Sequence, residues 1–302
     1  MPLFQGVHTA LATPFRAGAF DREAYAAHIE DQIARGVSGL VPIGTTGEAA
    51  TLDSDERVLA VRTAVEVSGG RVPVIAGAGS NSTRTTIEEI GRLRDAGANA
   101  ALVVTPYYNK PTQAGLVAHY RALADAHPCF PLVAYNVPGR TGVDLLPDTL
   151  LNLCDIPEIV GIKEATGSLT RLVDILEGLA RKGLIDADRL SLLSGDDFTV
   201  APFIALGGHG VISVSSNVVP ELMVELVNAA ASGDNKAAVA LQFRLNPLHR
   251  ALFLESNPIP VKAALAALGR FEDEIREPLT PMSADKRAIL LDAMRVILLD
   301  VQ

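Results

Sequence analysis

A (β/α)8 barrel with a helical region behind it is the fold class this 302-residue sequence predicts, and three observations carry it. Short apolar runs rich in Val, Ile, Leu and Ala begin eight times, near positions 6, 39, 73, 100, 131, 158, 190 and 210. The segments between them show helical spacing, as at Ile29, Ile33 and Ala34 or at Leu172, Ile175, Leu176 and Leu179. After residue 233 the strand theme stops and helical patterns alone remain. Alternating strand and helix implies parallel pairing through right-handed crossovers, and eight such units suit a closed barrel. A doubly wound open sheet is the alternative, but no G-x-G-x-x-G follows a strand and no Walker loop is present. GAGSN (77–81) is only a weak likeness to a phosphate loop.

In order, the runs are GVHTA, GLVPI, PVIAGA, AALVV, PLVAY, EIVGI, LSLLS and GVISV. Runs this short and apolar are what strands buried on both faces require. Successive starts lie 20 to 34 residues apart, enough for a loop, a helix and a second loop. Ser54-Asp55-Glu56 and Ser82-Thr83 are helix-start signals. Barrel active sites form where strands end. Those ends are polar or glycine-rich: GTTGE (44–48), TPYYN (105–109), YNVPGR (135–140), KEATG (163–167), SGDD (194–197) and SVSSN (213–217). Beyond SGDNKAA, the stretch through Leu241, Leu245 and Leu248, then Val261 to Leu268, then Arg287 to Leu299, reads as helix. The expected organisation is a catalytic barrel over 1–233 and a helical domain over 234–302.

Composition narrows the partners. Hydrophobic residues at 48% and charged residues at 20% permit a large core. A net charge of −9 argues against nucleic acid and anionic membranes. The six histidines show no metal-ligand spacing, so neither a metal nor another cofactor is expected. Cys129 and Cys154 form no C-x-x-C pair and suit a reducing compartment. The N-terminus MPLFQGVHTALATPF lacks a signal peptide's basic start and long apolar centre, and no stretch is long enough to span a bilayer. A cytoplasmic protein is expected.

Lys163 ends the sixth run, where the chain is still in the interior. Lysine is almost never fully buried without a partner or a use. Burial disfavours the charged form of an amine, and a neutral amine adds to carbonyls to form imines. The alternative for the lone residue is a structural pair with Glu164 or another carboxylate. Tyr135 ends the adjacent fifth run, where a phenol can move the proton an enamine mechanism needs. The glycines of GTTGE let successive backbone N–H groups hold a small carboxylate, and Arg140 on the Tyr135 loop can clamp a second one. Each feature has a plainer reading as turn, packing residue or surface charge. Together they describe an enzyme for a 2-oxo acid and an acidic partner.

GTTGEAATL, VTPYYNKPTQ, YNVPGRTG, GIKEATG, LLSGDD, GGHGVISV and ESNPIPVK resemble, in order and spacing, the dihydrodipicolinate synthase (4-hydroxy-tetrahydrodipicolinate synthase) family over about residues 4–280. The resemblance implies a metal-free, class I Schiff-base enzyme of lysine biosynthesis that condenses pyruvate with L-aspartate 4-semialdehyde. It makes Lys163 the imine-forming residue, Tyr135 the general acid/base, and Thr45 and Tyr108 its proton-relay partners. Thr46 and the backbone of Ile212 match pyruvate-binding positions, and Arg140 matches the residue gripping the semialdehyde carboxylate. It also implies a homotetramer, a dimer of dimers with Tyr108 donated across an interface.

N-acetylneuraminate lyase and 2-keto-3-deoxy-sugar-acid aldolases share the lysine and tyrosine but commonly differ at Thr45, Tyr108 and Arg140. A non-catalytic barrel that senses a 2-oxo acid would be expected to lack Lys163 or Tyr135. Asn81 and Tyr107 match the family's lysine-effector cleft. Thr85 stands where lysine-sensitive members carry glutamate, and Ser54 and Arg57 where histidines are common, so feedback inhibition is expected to be weak or absent; the alternative is that Glu56 or Glu88 supplies the missing carboxylate.

Overall fold

The computed structural model describes residues 2–185 and 189–299; Met1 and residues 300–302, at the outer limits of the two expected domains, lie outside them. All eight expected strands form: β1 (Gly6–Ala10), β2 (Gly39–Val41), β3 (Ile75–Ala78), β4 (Ala100–Val104), β5 (Leu132–Asn136), β6 (Ile159–Glu164), β7 (Ser191–Ser194) and β8 (Gly210–Ser213). They make one parallel sheet in the order β2-β1-β8-β7-β6-β5-β4-β3. Its two ends meet where Leu40 bridges Val74 and the Leu40 N–H donates to the Pro73 carbonyl at 3.0 Å. The sheet is thereby a barrel.

Strand alternation sorts the apolar residues into two cores. Ala100 and Leu102 on β4, Val133 and Tyr135 on β5, Leu193 on β7 and Ile212 on β8 point inward and pack with Phe4, Ala10, Val41 and Ile75. Their outward neighbours, among them Ala101, Val103, Leu132 and Ala134, pack against the surrounding helices. The pairing of β5 with β6 contains one step. Leu132 opposes Ile159 and Val133 opposes Gly161, so Val160 is passed over, and Tyr135 then opposes Lys163.

The crossovers are α1 (Arg22–Ala34), α2 (Ser54–Ser68), α3 (Thr83–Asp95), α4 (Gln113–Ala126), the short α5 (Pro138–Thr141) with α6 (Pro147–Leu153), α7 (Leu169–Arg181) and α8 (Val200–Ala205), and α9 (Pro220–Ala231) follows β8. Ser82 caps α3 as its sequence signal suggests. The cap of α2 is Asp53, one residue earlier than the Ser54 signal, in a reciprocal capping box with Glu56. An antiparallel pair, Phe15–Arg16 with Ala19–Phe20, was not expected. Two-residue strands are too short to leave a periodic trace.

Behind the barrel lie α10 (Asn235–Ala251), α11 (Ile259–Ala267) and α12 (Ala284–Leu299). Their apolar faces, including Leu245, Leu248, Val261, Leu265 and Leu290, belong to the same continuous core as the barrel helices. Among the described residues, no helix is long and apolar enough to cross a membrane.

Candidate active site

Lys163, at the C-terminal end of β6, is 7% exposed. It reaches across to β5, where its Nζ lies 4.6 Å from the Tyr135 ring centroid. Gly195 makes room for it: a Cβ there would lie 3.0 Å from Lys163 Cε and 2.6 Å from Ala165 Cβ. Glu164 faces the other way. Its carboxylate accepts from Asn136 Nδ2 at 3.0 Å and from the Thr166 N–H at 2.8 Å, with Arg171 Nε 3.7 Å away. The structural pairing of Lys163 with Glu164 is therefore not made. Among the described residues no carboxylate forms an ion pair with Lys163.

Beside Tyr135 opens a cavity of about 400 Å3, lined by Thr45, Tyr107, Tyr135, Arg140, Asn257 and Pro278 among others. Thr45 and Thr46 sit on the turn after β2, where the Gly47 N–H donates to the Gly44 carbonyl at 3.0 Å. Thr46 is buried, and its Oγ accepts from Asn257 Nδ2 at 3.0 Å. Arg140, on α5, is exposed at the rim, with Nη2 3.4 Å from the Asn257 carbonyl. Among the described residues, that long contact is the hydrogen bond the guanidinium makes, and the group has five N–H donors.

Four of the residues selected from sequence for this site, Lys163, Thr46, Ile212 and Tyr108, are not among those that line the cavity. Ile212 is buried in the inner core, opposite His8. Tyr108 is 87% exposed and has a left-handed backbone, φ 72°, with its N–H donating to the Thr141 carbonyl at 3.2 Å. Within one chain, Tyr107 rather than Tyr108 faces the cavity.

A second cavity of about 340 Å3 adjoins the first, and Arg57, Gly79, Glu89 and Tyr107 line both. Ser54, Thr85 and Glu88 also line the second. Arg57 does not face it as a bare charge, because Glu89 forms an ion pair with it. Glu56 is turned away: its carboxylate takes two hydrogen bonds from Arg276, which hold it below the usual glutamate range. Asn81 is exposed, and its carbonyl accepts from Asn109 Nδ2 at 2.8 Å.

This geometry meets a family model over residues 3–296, described as the dihydrodipicolinate synthetase family. The chain belongs to that family. A curated relative from Maridesulfovibrio salexigens, named 4-hydroxy-tetrahydrodipicolinate synthase, is 50% identical over 288 residues, 95% of this chain and 96% of that protein. The crystal structure of dihydrodipicolinate synthase from Thermotoga maritima matches with 42% identity and a TM-score of 0.94, covering 98% of this chain and 99% of its own. A chloride-inhibited synthase from Acinetobacter baumannii, solved with pyruvate, matches with 43% identity and a TM-score of 0.92, covering 97% and 98%.

For a dihydrodipicolinate synthetase family member, the sequence reading overlooked what ESNPIPVK contributes. Asn257 joins the Thr46 loop to the Arg140 loop, and Lys262 pairs with Glu48. Charged and amide residues within a run of prolines were the available signal. Glu89, mid-helix in α3, carried no signal at all.

Proposed function

We infer that this chain is a lyase with 4-hydroxy-tetrahydrodipicolinate synthase activity, joining pyruvate to L-aspartate 4-semialdehyde through an imine on Lys163. The observation that carries the reading is an amine at the barrel mouth that no described carboxylate pairs with, in register with a tyrosine. The Lys163 amine adds to the pyruvate ketone and water leaves, giving the imine. The imine withdraws electrons, a methyl proton is lost, and an enamine forms. Its carbon bonds to the aldehyde carbon. Tyr135, supplied through Thr45 and a partner subunit's copy of Tyr108, protonates the new alkoxide. The semialdehyde's amino group then attacks the imine carbon, displaces Lys163 and closes the ring.

Thr46 and the Ile212 backbone hold the pyruvate carboxylate in this scheme, and Arg140 holds that of the semialdehyde. The barrel over 1–233 carries the chemistry, and the helices over 234–302 brace its loops. A coupled assay with aspartate semialdehyde, run beside N-acetylneuraminate and keto-deoxy sugar acids, tests the reading. Turnover of the sugar acids alone would move the chain to the related aldolases.

An assembly of at least two subunits, and a tetramer of two such dimers, follows from giving Tyr108 a place in a neighbour's site. Its exposed ring supports this. Fully active monomers in sedimentation at assay concentration would refute it. The free cysteines Cys129 and Cys154 accord with a cytoplasmic location. The second cavity, with Tyr107 in its wall and Asn81 nearby, is the place for a lysine effector, and Thr85 leaves it without the usual carboxylate.

A further inference from the structure

The Lys262 ammonium and the Glu48 carboxylate form an ion pair in which both side chains are almost wholly buried, at 2% and 1% exposure. Glu48 is the last residue of the GTTGE turn and Lys262 lies on α11, so the pair ties that turn to the helices behind the barrel. Glu48 holds a left-handed backbone, φ 55°, that a non-glycine residue adopts only when its surroundings enforce it. Its second oxygen accepts from the Arg276 N–H at 3.1 Å. Lys262 Nζ also lies 4.2 Å from the Phe15 ring centroid, with the Arg276 guanidinium carbon 4.1 Å from the same ring. Two residues back along the turn is Thr46, its hydroxyl held by Asn257 of the same ESNPIPVK segment.

Two buried charges brought together this completely are poor value as stabilisation alone, because desolvation offsets much of their attraction. What such a pair fixes well is geometry. We propose that Lys262 is a positioning residue for the pyruvate-binding turn, aligning Thr45 and Thr46 through Glu48. The inference rests on that turn being the pyruvate carboxylate site. The pair acts before chemistry, on how well the turn presents its donors to the 2-oxo acid.

The test uses the full chain with Lys262→Met, Glu48→Gln and the double variant, followed by thermal unfolding, borohydride trapping with pyruvate and separate KM values for the two substrates. Lys262→Met should raise the pyruvate KM by about tenfold or more, with a smaller change in kcat and in the semialdehyde KM. Removing both charges together should recover most of the thermal stability lost by the single variant without recovering the pyruvate KM. A pyruvate KM that stays at the parent value, or that returns together with Tm in the double variant, overturns the proposal. If neither the single nor the double variant folds, the pair serves folding and the proposal also fails. Absence of a pyruvate adduct in the unsubstituted protein would instead overturn the underlying function.

Discussion

Tyr135 and Lys163 face each other as a register pair across two parallel strands, the amine 4.6 Å from the phenol ring centre. Neighbouring strand ends of a barrel hold side chains more rigidly than loops do, so the two groups keep a fixed separation.

Replacing Lys163 by Ala should abolish imine trapping and nearly all turnover. Lys163→Arg should behave alike, since a guanidinium stays protonated and does not add to a ketone. Substantial turnover by the arginine variant in the coupled assay would sink the assignment.

Tyr135→Phe should separate two steps. Pyruvate should still be trapped on Lys163, while condensation drops by roughly 10²–10⁴-fold, the usual contribution of a positioned acid/base. Near-parental turnover would show that another group handles the proton.

Arg140→Ala should act on one substrate. Its guanidinium is exposed at the cavity rim with a single long backbone contact, so its loss should raise the semialdehyde KM far more than the pyruvate KM. A charge-assisted hydrogen bond of this kind is worth roughly 1.5–3 kcal/mol. Equal changes in both KM values would contradict the role.

L-Lysine at millimolar concentration should inhibit weakly or not at all. Thr85 lines the second cavity with a hydroxyl but no charge, and Glu89, the carboxylate beside Arg57, is already engaged. Glu88 is the remaining acidic group in the wall, so Glu88→Gln distinguishes the cases. Inhibition by sub-millimolar lysine in the parent, lost in that variant, would show that Glu88 substitutes.

Acid should loosen the fold from near neutral pH. His8 and His28 are buried, and burial pushes both rings down to about 4 from an ordinary value near 6.5. Between those values the unfolded chain binds protons that the native one does not, so stability present above about pH 6.5 is lost as pH falls toward 4. A Tm unchanged between pH 7 and pH 5 would contradict this.

The barrel was legible because eight strands buried on both faces leave unbroken apolar runs, and Lys163 interrupts one of them. Tyr135 and Arg140 were readable as strand-end and loop residues of the adjoining unit. What the sequence hid depends on distant approach. Asn257 and Lys262 act on residues more than two hundred positions earlier, and no local pattern announces such a partner. Nor did spacing reveal that Glu89 answers Arg57 or that Tyr107 divides two cavities.

The step at Val160 has a consequence for chemistry. Counted with strict alternation from the outward Ile159, residue 163 would turn outward, toward the helices. The extra residue resets the parity, so Lys163 looks into the mouth and Glu164 out of it. The inward aim of the Lys163 amine is thus decided by an odd residue four peptide units upstream of Glu164, near the start of the strand rather than at its end.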